Sequence, residues 1–597
     1  MKSIFSKIVV FSLVLTLALP AEAQHGKTKR KKAKVSNTDS LMGRILMQET
    51  FDFISQNYVE EPDLNAAAEH GIVSMLNHMD PHSAFIPQRN VESNNESLVG
   101  NFEGVGIRFS IDHDTIIVND VVVGGPAEKV GLLLGDKIVA IDGENATGDT
   151  ITNTFVFKRL RGKKDTKVVL TIRRPGVRDL MDFTVVRGKV PLYSVESTFM
   201  LDSVTGYVRL TRFARTSVTE VQKAINDLKK EGMKRLVFDL RGNGGGYLDI
   251  AFNIADQFLP SNKLIVYQEG RRQPRQNFRS TFRGCFTDGD LVVLIDENSA
   301  SASEIVSGAL QDWDRAVIVG RRSFGKGLVQ RQFKMNDGSE LRLTTARYYT
   351  PSGRCIQKPY DKGLENYYRE ISQRYNSGEL VHADSIHFPD SLKYRTSQGR
   401  TVYGGGGIMP DIFVPIDTVR LSDYFLTLRS KGLFTEFCND FASAHRLDTA
   451  LATFDQYLSR YDSLRIDSLF SAFASSKGVQ SSAVRGDWVA GWVADQFKKQ
   501  LKDTASAINA QSYVDYIAQW RNDDTFMTAL QEKAQKEDIR AQVINQKSEE
   551  YLHCLLKALI AQNLYGPNYY YRIMKDQDEG LRAAFHAFDS QVLGGMK

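Results

Sequence analysis

The chain has 597 residues, 42% of them hydrophobic and 25% charged, which is the composition of a globular protein with about three or four domains. Its formal net charge is +5 at pH 7, but six positive charges lie in the tract from Lys27 to Lys34. The rest of the mature chain is slightly acidic, which argues against a nucleic-acid-binding protein. We predict a disordered basic tail at residues 24–39, either simply solvated or in contact with anionic lipid or cell-wall polymer.

The first 23 residues have the pattern of a secretory signal peptide. Lys2 and Lys7 precede the apolar stretch Ile8–Leu19, which is short for a membrane span, and an A-x-A cleavage site follows at Ala21–Ala23. The pattern predicts an exported protein of the periplasm or cell envelope whose mature chain begins at Gln24.

Two regions with different hydrophobic patterns follow the tail. Apolar residues at helical spacing between Ser40 and Asn77 predict two helices separated by Pro62, within an N-terminal helical segment at residues 40–97. Short alternating strands with glycine-rich turns then predict a β-rich module at residues 98–188.

A third region alternates strands and helices and predicts an α/β core at residues 189–419, where the strand ends are available for a site. The strands are expected at Gly206–Leu210, Arg235–Leu240, Leu291–Ile295 and Ala316–Val319, and the helices at Ser217–Gly232, Leu248–Phe258 and Ala302–Trp313. The polar stretch at 359–400 is interpreted as an insertion, and residues 420–597 as a helical C-terminal domain.

Neither metal nor nucleotide chemistry is indicated, so no cofactor is expected. The sequence has no H-E-x-x-H motif, and its scattered cysteines lack metal-ligand spacing and permit disulfides without requiring them. These are Cys285, Cys355, Cys438 and Cys554. The segment Gly320–Lys326 has the spacing of a phosphate loop, but Gly327 stands where a hydroxyl would ligate magnesium.

Ser301 lies at a turn between a predicted strand and a predicted helix, with Ser299 and Ser303 beside it. A serine at such a turn points its Oγ out of the strand end, and the helix N-terminus offers free N–H groups to an oxyanion. The alternative is structural, because Ser301 and Glu304 have the S-x-x-E spacing of a capping box.

A serine nucleophile needs a base, and Lys326 is the candidate. The histidines offer no convincing one, since His82 is expected to lie far away in a D-P-H-S turn. Burial can lower a lysine pKa by up to ~3–5 units, and Ser-Lys pairs are an established variant of the serine triad. Gln330 either shares a helical face with Lys326 or holds the amine through its amide.

The glycine-rich turn at residues 242–246 follows a predicted buried strand. Its N–H groups are candidates to complete an oxyanion hole, and the alternative is a flexible turn.

Five motifs in this order resemble those of the C-terminal processing peptidases, also called tail-specific proteases. They are Asp239–Gly246, Ser299–Ile305, Phe324–Gly327 with Gln330, Thr345–Gly353 and Gly405–Asp411. The resemblance extends from about Ser40 to Pro415. It implies a peptidase core with a crotonase-like spiral of strands and helices, in which Ser301 is the nucleophile, Lys326 the general base and Gln330 the residue that orients the lysine.

The resemblance also implies an oxyanion hole that combines the N–H of Ala302 with that of either Gly245 or Gly246. Asp312 matches an acidic position that is either a supporting acid or a structural residue. One departure is Gly244, which replaces the proline of the family's N-P-G-G turn and is expected to loosen the loop without abolishing activity.

The β-rich module is similar to a PDZ domain, as the family implies. Its carboxylate-binding loop would be Gly104, Val105, Gly106 and Ile107. By β-augmentation such a domain adds an extended C-terminal peptide to its sheet edge. The alternative is a β-module that only gates the site.

Together these features predict an α/β and β multidomain protein, with the PDZ domain inserted between helical and peptidase segments. The predicted function is an exported serine endopeptidase that recognises exposed C-terminal ends of envelope or unfolded proteins and cleaves them through an acyl-enzyme. A homo-oligomer or an envelope adaptor protein is compatible with this function. The alternatives are a non-catalytic PDZ scaffold and a crotonase-like acyl-CoA enzyme, whose substrate an exported chain would lack.

Overall fold

The computed structural model describes residues 37–112, 114–149, 151–386, 388–417, 422–446, 448–480 and 524–590. The predicted signal peptide and most of the basic tail lie outside the described residues. The chain forms two compact units, one up to Gly71 and one from Ile72 onward. Helix α1 (Asn37–Asn57) belongs to the first, and α2 (Leu64–Met79) begins in the first and ends in the second. None of the described helices has the length and apolar character that a membrane crossing requires.

The second unit continues with a short strand and helix and then a small antiparallel sheet. The elements are β1 (Ala84–Ile86), α3 (Gln88–Val99), β2 (Asn101–Gly104), β3 (Ile107–Asp112), β4 (Thr115–Val121), α4 (Pro126–Lys129), β5 (Lys137–Ile141), β6 (Glu144–Asn145), α5 (Asn153–Leu160), β7 (Lys167–Arg173), β8 (Met181–Val186) and β9 (Gly188–Pro191). The strand order is β3-β4-β5-β7-β8, with β6 on β5, so β3 is an edge strand. Alternate residues of β7, namely Val168, Leu170 and Ile172, are fully buried, because successive side chains of a strand point to opposite faces.

The α/β core contains a six-stranded sheet in the order β10-β11-β12-β15-β16-β21, parallel except for β10. A second, antiparallel sheet has the order β1-β18-β13-β14, with β17 paired to β18. The elements are β10 (Val195–Met200), β11 (Thr205–Leu210), α6 (Ser217–Lys230), β12 (Arg235–Asp239), α7 (Leu248–Asp256), β13 (Leu264–Gly270), β14 (Gln273–Arg279), β15 (Asp290–Ile295), α8 (Ala302–Asp312), β16 (Val317–Gly320), β17 (Leu328–Lys334), β18 (Glu340–Tyr349), α9 (Leu364–Asn376), β19 (Lys393–Arg395), β20 (Thr401–Tyr403) and β21 (Ile412–Phe413).

The six-stranded sheet is buried on both faces, which explains the unbroken apolar runs of its central strands. In β12, Leu236 and Phe238 pack into the core beneath α6, α7 and α8, whereas Val237 faces a separate apolar cluster on the opposite face.

The C-terminal region is helical where it is described, with α10 (Asp423–Ser430), α11 (Leu433–His445), α12 (Phe454–Arg460), α13 (Ile466–Ser476), α14 (Asp524–Tyr565), α15 (Pro567–Met574) and α16 (Glu579–Asp589). Helices α10 to α14 share a core of their own. Helix α16 instead covers the second face of the six-stranded sheet with Leu581, Ala584 and Ala587. At the N-terminus of α16, Asp578 forms an ion pair with Arg241 at 2.6 Å. Arg241 immediately precedes the glycine-rich turn.

Candidate active site

Three loops meet at the carboxyl end of the six-stranded sheet, because β12, β15 and β16 are adjacent parallel strands. They are the glycine-rich turn after β12, the Ser301 turn after β15 and the Lys326 loop after β16. Gly245, Ser301 and Lys326 line one cavity of about 330 Å³.

Ser301 is distinguished from its neighbouring serines by conformation and by hydrogen bonding. Its φ is 56° and its ψ is −109°, a strained combination of the kind found where a strand turns sharply into a helix. The hydroxyl of Ser299 donates to the carbonyl of Leu240 at 2.8 Å, and that of Ser303 donates to the carbonyl of Asn243 at 2.8 Å. Those two hydroxyls therefore fasten the turn to the glycine-rich loop, while Ser301 lines the cavity.

Glu304 connects the serine turn with the lysine loop. Its fully buried carboxylate accepts hydrogen bonds from the N–H groups of Ser301 at 2.7 Å, Gly325 at 2.7 Å and Lys326 at 2.9 Å. The hydroxyl of Ser323 donates to the same carboxylate at 2.6 Å. Burial raises the pKa of Glu304 to about 7, against the opposing effect of these hydrogen bonds. Glu304 thus caps helix α8 and also fixes the backbone of the lysine loop.

Lys326 occupies an environment that favours the neutral amine. Burial lowers its pKa, the positive charge of Arg342 lowers it further, and the carboxylates of Glu304 and Asp80 oppose both effects. The backbone on either side of the site is held by Tyr348, whose hydroxyl lies 3.1 Å from the Ser301 carbonyl and also contacts the Lys326 carbonyl.

Gln330 lies on strand β17, so the interpretation of a shared helical face with Lys326 is wrong. The segment pairs with β18 and cannot form a helix, because that ladder uses its backbone groups. The side chain lines the same cavity as Ser301 and Lys326. Its Nε2 is buried and has no hydrogen-bond partner in the described part of the chain.

The glycine-rich turn is ordered by Asn243. The Asn243 side chain donates to the carbonyl of Leu210 at 2.8 Å and accepts from the N–H of Gly245 at 2.9 Å. Since that N–H is already engaged, the geometry favours Gly246 over Gly245 as the partner of Ala302 in an oxyanion hole. A Cβ on Gly245, whose φ is +102°, would lie 2.9 Å from the Cβ of Ser301.

Asp312 lies at the opposite end of α8 from Ser301 and does not line the cavity. Its buried carboxylate forms an ion pair with Arg354 at 2.7 Å and accepts a hydrogen bond from the N–H of Ser352 at 2.9 Å. Of the two interpretations of this residue, the structural one fits these contacts.

His82, which is expected from the sequence to lie far from the serine, is found near Lys326 in the structure. Burial lowers the pKa of His82 to about 3, and the charge of nearby Lys326 contributes to this shift. Its Nε2 lies 2.7 Å from the hydroxyl of Tyr367 on α9. The residue is separated from Lys326 by many positions in sequence, but the chain brings β1 back beside β18.

The segment interpreted as an insertion supports the lysine loop. Arg374 of α9 donates to the carbonyls of Arg322 at 3.3 Å, Ser323 at 2.8 Å and Phe324 at 3.3 Å. It also forms an ion pair with Glu370 at 2.6 Å. The segment is therefore part of the scaffold that places Lys326.

The predicted carboxylate-binding loop of the β-rich module connects β2 to the edge strand β3. The carbonyl of Val105 accepts from the N–H of Ala127 at 2.7 Å, and that of Gly106 accepts from the N–H of Val122 at 3.0 Å. Gly104 and Ile107, at the two ends of the loop, are buried. The loop is consequently fixed by the start of α4 and the end of β4.

Sequence reasoning gave Tyr348 and Arg342 no role, although both line the cavity. Tyr348 lies within the Thr345–Gly353 motif, and that motif is the sequence feature that could have identified it. Nothing in the sequence indicates that Arg342 lines the cavity, because a charged residue in an alternating strand is ordinarily exposed. All four cysteines have free thiols.

Comparison with known proteins places these features in a family. A family model described as Peptidase family S41 matches residues 204–366, and one described as PDZ domain matches residues 117–174. The carboxy-terminal-processing protease of Bartonella bacilliformis is 36% identical over 311 residues, which are 51% of this chain and 71% of that protein. Carboxy-terminal processing protease CtpB of Bacillus subtilis is 33% identical over 356 residues, or 59% of this chain and 70% of the relative.

Among solved structures, the photosystem II D1 C-terminal processing protease matches at 26% identity with a TM-score of 0.34, covering 64% of this chain and 89% of that one. The sequence relationship to the bacterial proteases extends over most of their length. The chain therefore belongs to the carboxy-terminal processing proteases of peptidase family S41, and it is a serine-type endopeptidase that carries a PDZ domain and acts on peptide or protein substrates.

Proposed function

We propose that this endopeptidase uses a Ser301–Lys326 pair to cleave proteins of the cell envelope, which it recognises by their exposed C-terminal ends. The observation that carries the proposal is the shared cavity of Ser301 and Lys326, with Glu304 hydrogen-bonded to the backbone of both. A neutral amine at this position has the proton affinity that general-base work requires.

In the proposed reaction, the Lys326 amine takes the proton of the Ser301 hydroxyl as Oγ attacks the substrate carbonyl. The N–H groups of Ala302, at the start of α8, and of Gly246 stabilise the tetrahedral oxyanion. Its collapse breaks the C–N bond, and the Lys326 ammonium returns the proton to the leaving amine. Water, deprotonated by the same lysine, then attacks the acyl carbonyl. Collapse breaks the C–Oγ bond, and the Lys326 ammonium returns its proton to the Ser301 oxygen. Gln330 orients the amine.

Covalent labelling tests the nucleophile without knowledge of the natural substrate. A fluorophosphonate should modify the wild-type protein at Ser301, as located by peptide mass spectrometry, and should not modify Ser301→Ala. Ser303→Ala is the matched control, because the Ser303 hydroxyl is bonded to the Asn243 carbonyl. Labelling at Ser299 or Ser303, or unchanged labelling of Ser301→Ala, would contradict the proposal.

Proteolysis of an unstructured protein tests the base. Lys326→Ala and Lys326→Arg should both lose turnover, because arginine is not deprotonated in proteins. Retained activity in Lys326→Arg would remove this residue as the base. Equal turnover of the wild type, Ser301→Ala and Lys326→Ala across several substrates would favour the non-catalytic PDZ scaffold.

Recognition of C-terminal ends is proposed for the edge strand β3. It pairs only with β4 within the described sheet, and Phe109 on β3 contacts Phe157 on α5 at a ring distance of 5.3 Å. An extended peptide could add to β3 beside α5. Peptides with a free carboxylate should bind Ser301→Ala more tightly than their amides, and Phe157→Ala should weaken that binding. Equal binding of acid and amide would argue against this recognition.

Export is proposed from the sequence pattern of residues 1–23, and the location in the periplasm or envelope follows from it. Sequencing of the mature N-terminus should find Gln24, and an intact Met1 in fractionated cells would contradict export. The basic tail and the C-terminal helices are compatible with envelope contact, an adaptor or a homo-oligomer.

A further inference from the structure

The cavity that holds Ser301 has a guanidinium in its wall. Its lining, among the described residues, includes the basic side chains Lys326 and Arg342 and no carboxylate, so Arg342 has no acidic partner within the cavity wall. Four other interior arginines of this protein are matched by acidic partners. Arg209 and Arg241 pair with Asp239, Arg354 with Asp312, and Arg374 with Glu370.

Arg342 differs from these four because its Nη2 is buried without a hydrogen-bond partner in the described part of the chain. Arg161 and Arg446 also have one such nitrogen each, but neither lines the Ser301 cavity. A buried charged donor without a partner is costly, since it has lost water without gaining an acceptor. Such a group is a natural anchor for an anionic part of a ligand, and a guanidinium can hold a carboxylate through two parallel hydrogen bonds.

Strand pairing places a second free donor beside it. Arg342 on β18 lies directly opposite Gln332 on β17, and Gln330 is two residues along β17 on the same face. All three line the cavity. The Nε2 of Gln332 is bonded to Asn95 and Glu340, whereas the Nε2 of Gln330 is buried without a partner.

We propose that Arg342, assisted by Gln330, binds a carboxylate of the substrate segment that occupies the Ser301 cavity and thereby selects which bonds are cut. The carboxylate is either the terminal one of a short leaving segment or that of an acidic side chain near the scissile bond. This inference rests on the proposed function of the cavity, but it is a statement about binding and can be tested apart from catalysis.

The test uses fluorescent peptides of one sequence that end in a carboxylate or a carboxamide and carry glutamate or glutamine beside the cleavage site. Binding is measured by anisotropy in Ser301→Ala, and kcat/KM is measured in the protein with Ser301 intact. Both proteins also carry Phe157→Ala, which weakens the carboxylate preference proposed for the PDZ domain. A charge-assisted contact should favour one carboxylate-bearing peptide by about tenfold or more. Arg342→Gln should abolish that preference, and Arg342→Lys should retain part of it because it keeps the charge.

Arg331→Gln is the matched control, since Arg331 is an exposed residue of β17 that does not line the cavity. Thermal melting of each variant shows that it is folded. Loss of the acid-over-amide preference identifies the terminal carboxylate, and loss of the glutamate-over-glutamine preference identifies a side chain. With the PDZ contribution weakened by Phe157→Ala, a preference of the same size with and without Arg342→Gln overturns the inference.

Two further outcomes are decisive. If Arg342→Gln lowers kcat/KM for all peptides by the same factor and leaves their relative binding unchanged, Arg342 acts on Lys326 alone and the inference is wrong. If the wild type cleaves none of the peptides, the proposed catalytic function fails, and the binding measurements still decide whether Arg342 holds a carboxylate.

Discussion

The carboxylate of Glu304 accepts a hydrogen bond from the backbone N–H of Ser301 at 2.7 Å, so the serine turn is fixed by a residue one helical turn further on. The same carboxylate fixes the lysine loop. Each of the two carboxylate oxygens accepts two hydrogen bonds. In Glu304→Gln, the amide NH₂ would therefore face hydrogen-bond donors in either orientation of the side chain.

We therefore expect Glu304→Gln to lower the free energy of unfolding by about 1–3 kcal/mol. Displacement of the two loops should lower kcat by up to about a hundredfold. Urea unfolding and peptide turnover measure the two effects. Glu365→Gln, at an exposed position of α9, is the control and should change stability by no more than about 0.5 kcal/mol. Unimpaired turnover in Glu304→Gln would show that the connection is dispensable.

The raised pKa of Glu304 also predicts a pH dependence of stability. The folded protein binds this proton up to about pH 7, whereas the unfolded chain releases it near 4.5. The contribution is fully present below 4.5 and is lost as pH rises toward 7, so stability should fall across this window. The slope should flatten in Glu304→Gln, which has no proton to release. Identical pH profiles of stability in the two proteins would contradict this prediction.

The lowered pKa of Lys326 predicts that kcat/KM rises with pH along a limb whose midpoint lies below the ordinary lysine range. Arg342→Met should move this limb to higher pH, because removal of a neighbouring positive charge makes protonation of Lys326 easier. The measurement is a pH–rate profile on a carboxamide peptide without acidic residues. A limb that does not respond to Arg342→Met would show that another group titrates.

Because the glycine-rich turn approaches Ser301 closely, we expect alanine substitution to impair activity at Gly245 and to be tolerated at Gly244. In Gly245→Ala the new Cβ would lie 2.8 Å from the Ala300 carbonyl oxygen and 2.9 Å from the Ser301 Cβ, at a φ of +102°. We expect kcat to fall about a hundredfold and stability to fall by about 1–3 kcal/mol. Gly244→Ala is the matched control, because its Cβ would meet no atom within 4 Å, and it should remain active. Equal activity of the two variants would contradict this geometry.

The contacts of Arg374 predict that the 359–400 segment is needed for turnover. Arg374→Gln removes the guanidinium that donates to the carbonyls of the lysine loop, whereas Glu370 keeps its ion pair with Lys358 at 3.0 Å. It should destabilise the protein by about 1–3 kcal/mol and reduce kcat. Arg369→Gln on the same helix is the control, because the Arg369 side chain is 70% exposed and should contribute little. Thermal melting and turnover of both variants check this, and wild-type behaviour of Arg374→Gln would make the segment a mere insertion.

Local patterns predicted much of the fold. The buried strands before the glycine-rich turn and before Ser301 were predicted from apolar runs, and helix α8 was predicted to within one residue at its C-terminal end. Pairing between distant segments was harder to predict, because strand periodicity does not specify a partner. The position of His82 near Lys326 depends on the pairing of β1 with β18, which no local pattern encodes.

The candidate site was predicted where motif residues follow strands, and missed where a side chain enters from another sheet. Arg342 reaches the cavity from β18 of the antiparallel sheet, and its sequence neighbourhood resembles any exposed strand. Glu304 was interpreted only as a helix cap, since spacing identifies one hydrogen bond and cannot reveal the three others that come from residues about twenty positions away.

Helix α16 covers one face of the six-stranded sheet, and the loops of Ser301 and Lys326 lie at the carboxyl end of the same sheet. Asp578, at the start of α16, forms an ion pair with Arg241. During translation, that apolar face stays uncovered until Ala587 has emerged from the ribosome. Proteolytic competence is therefore expected to arise only after residues 579–589 have been synthesised, and a variant truncated before Glu579 should fold poorly and lack activity.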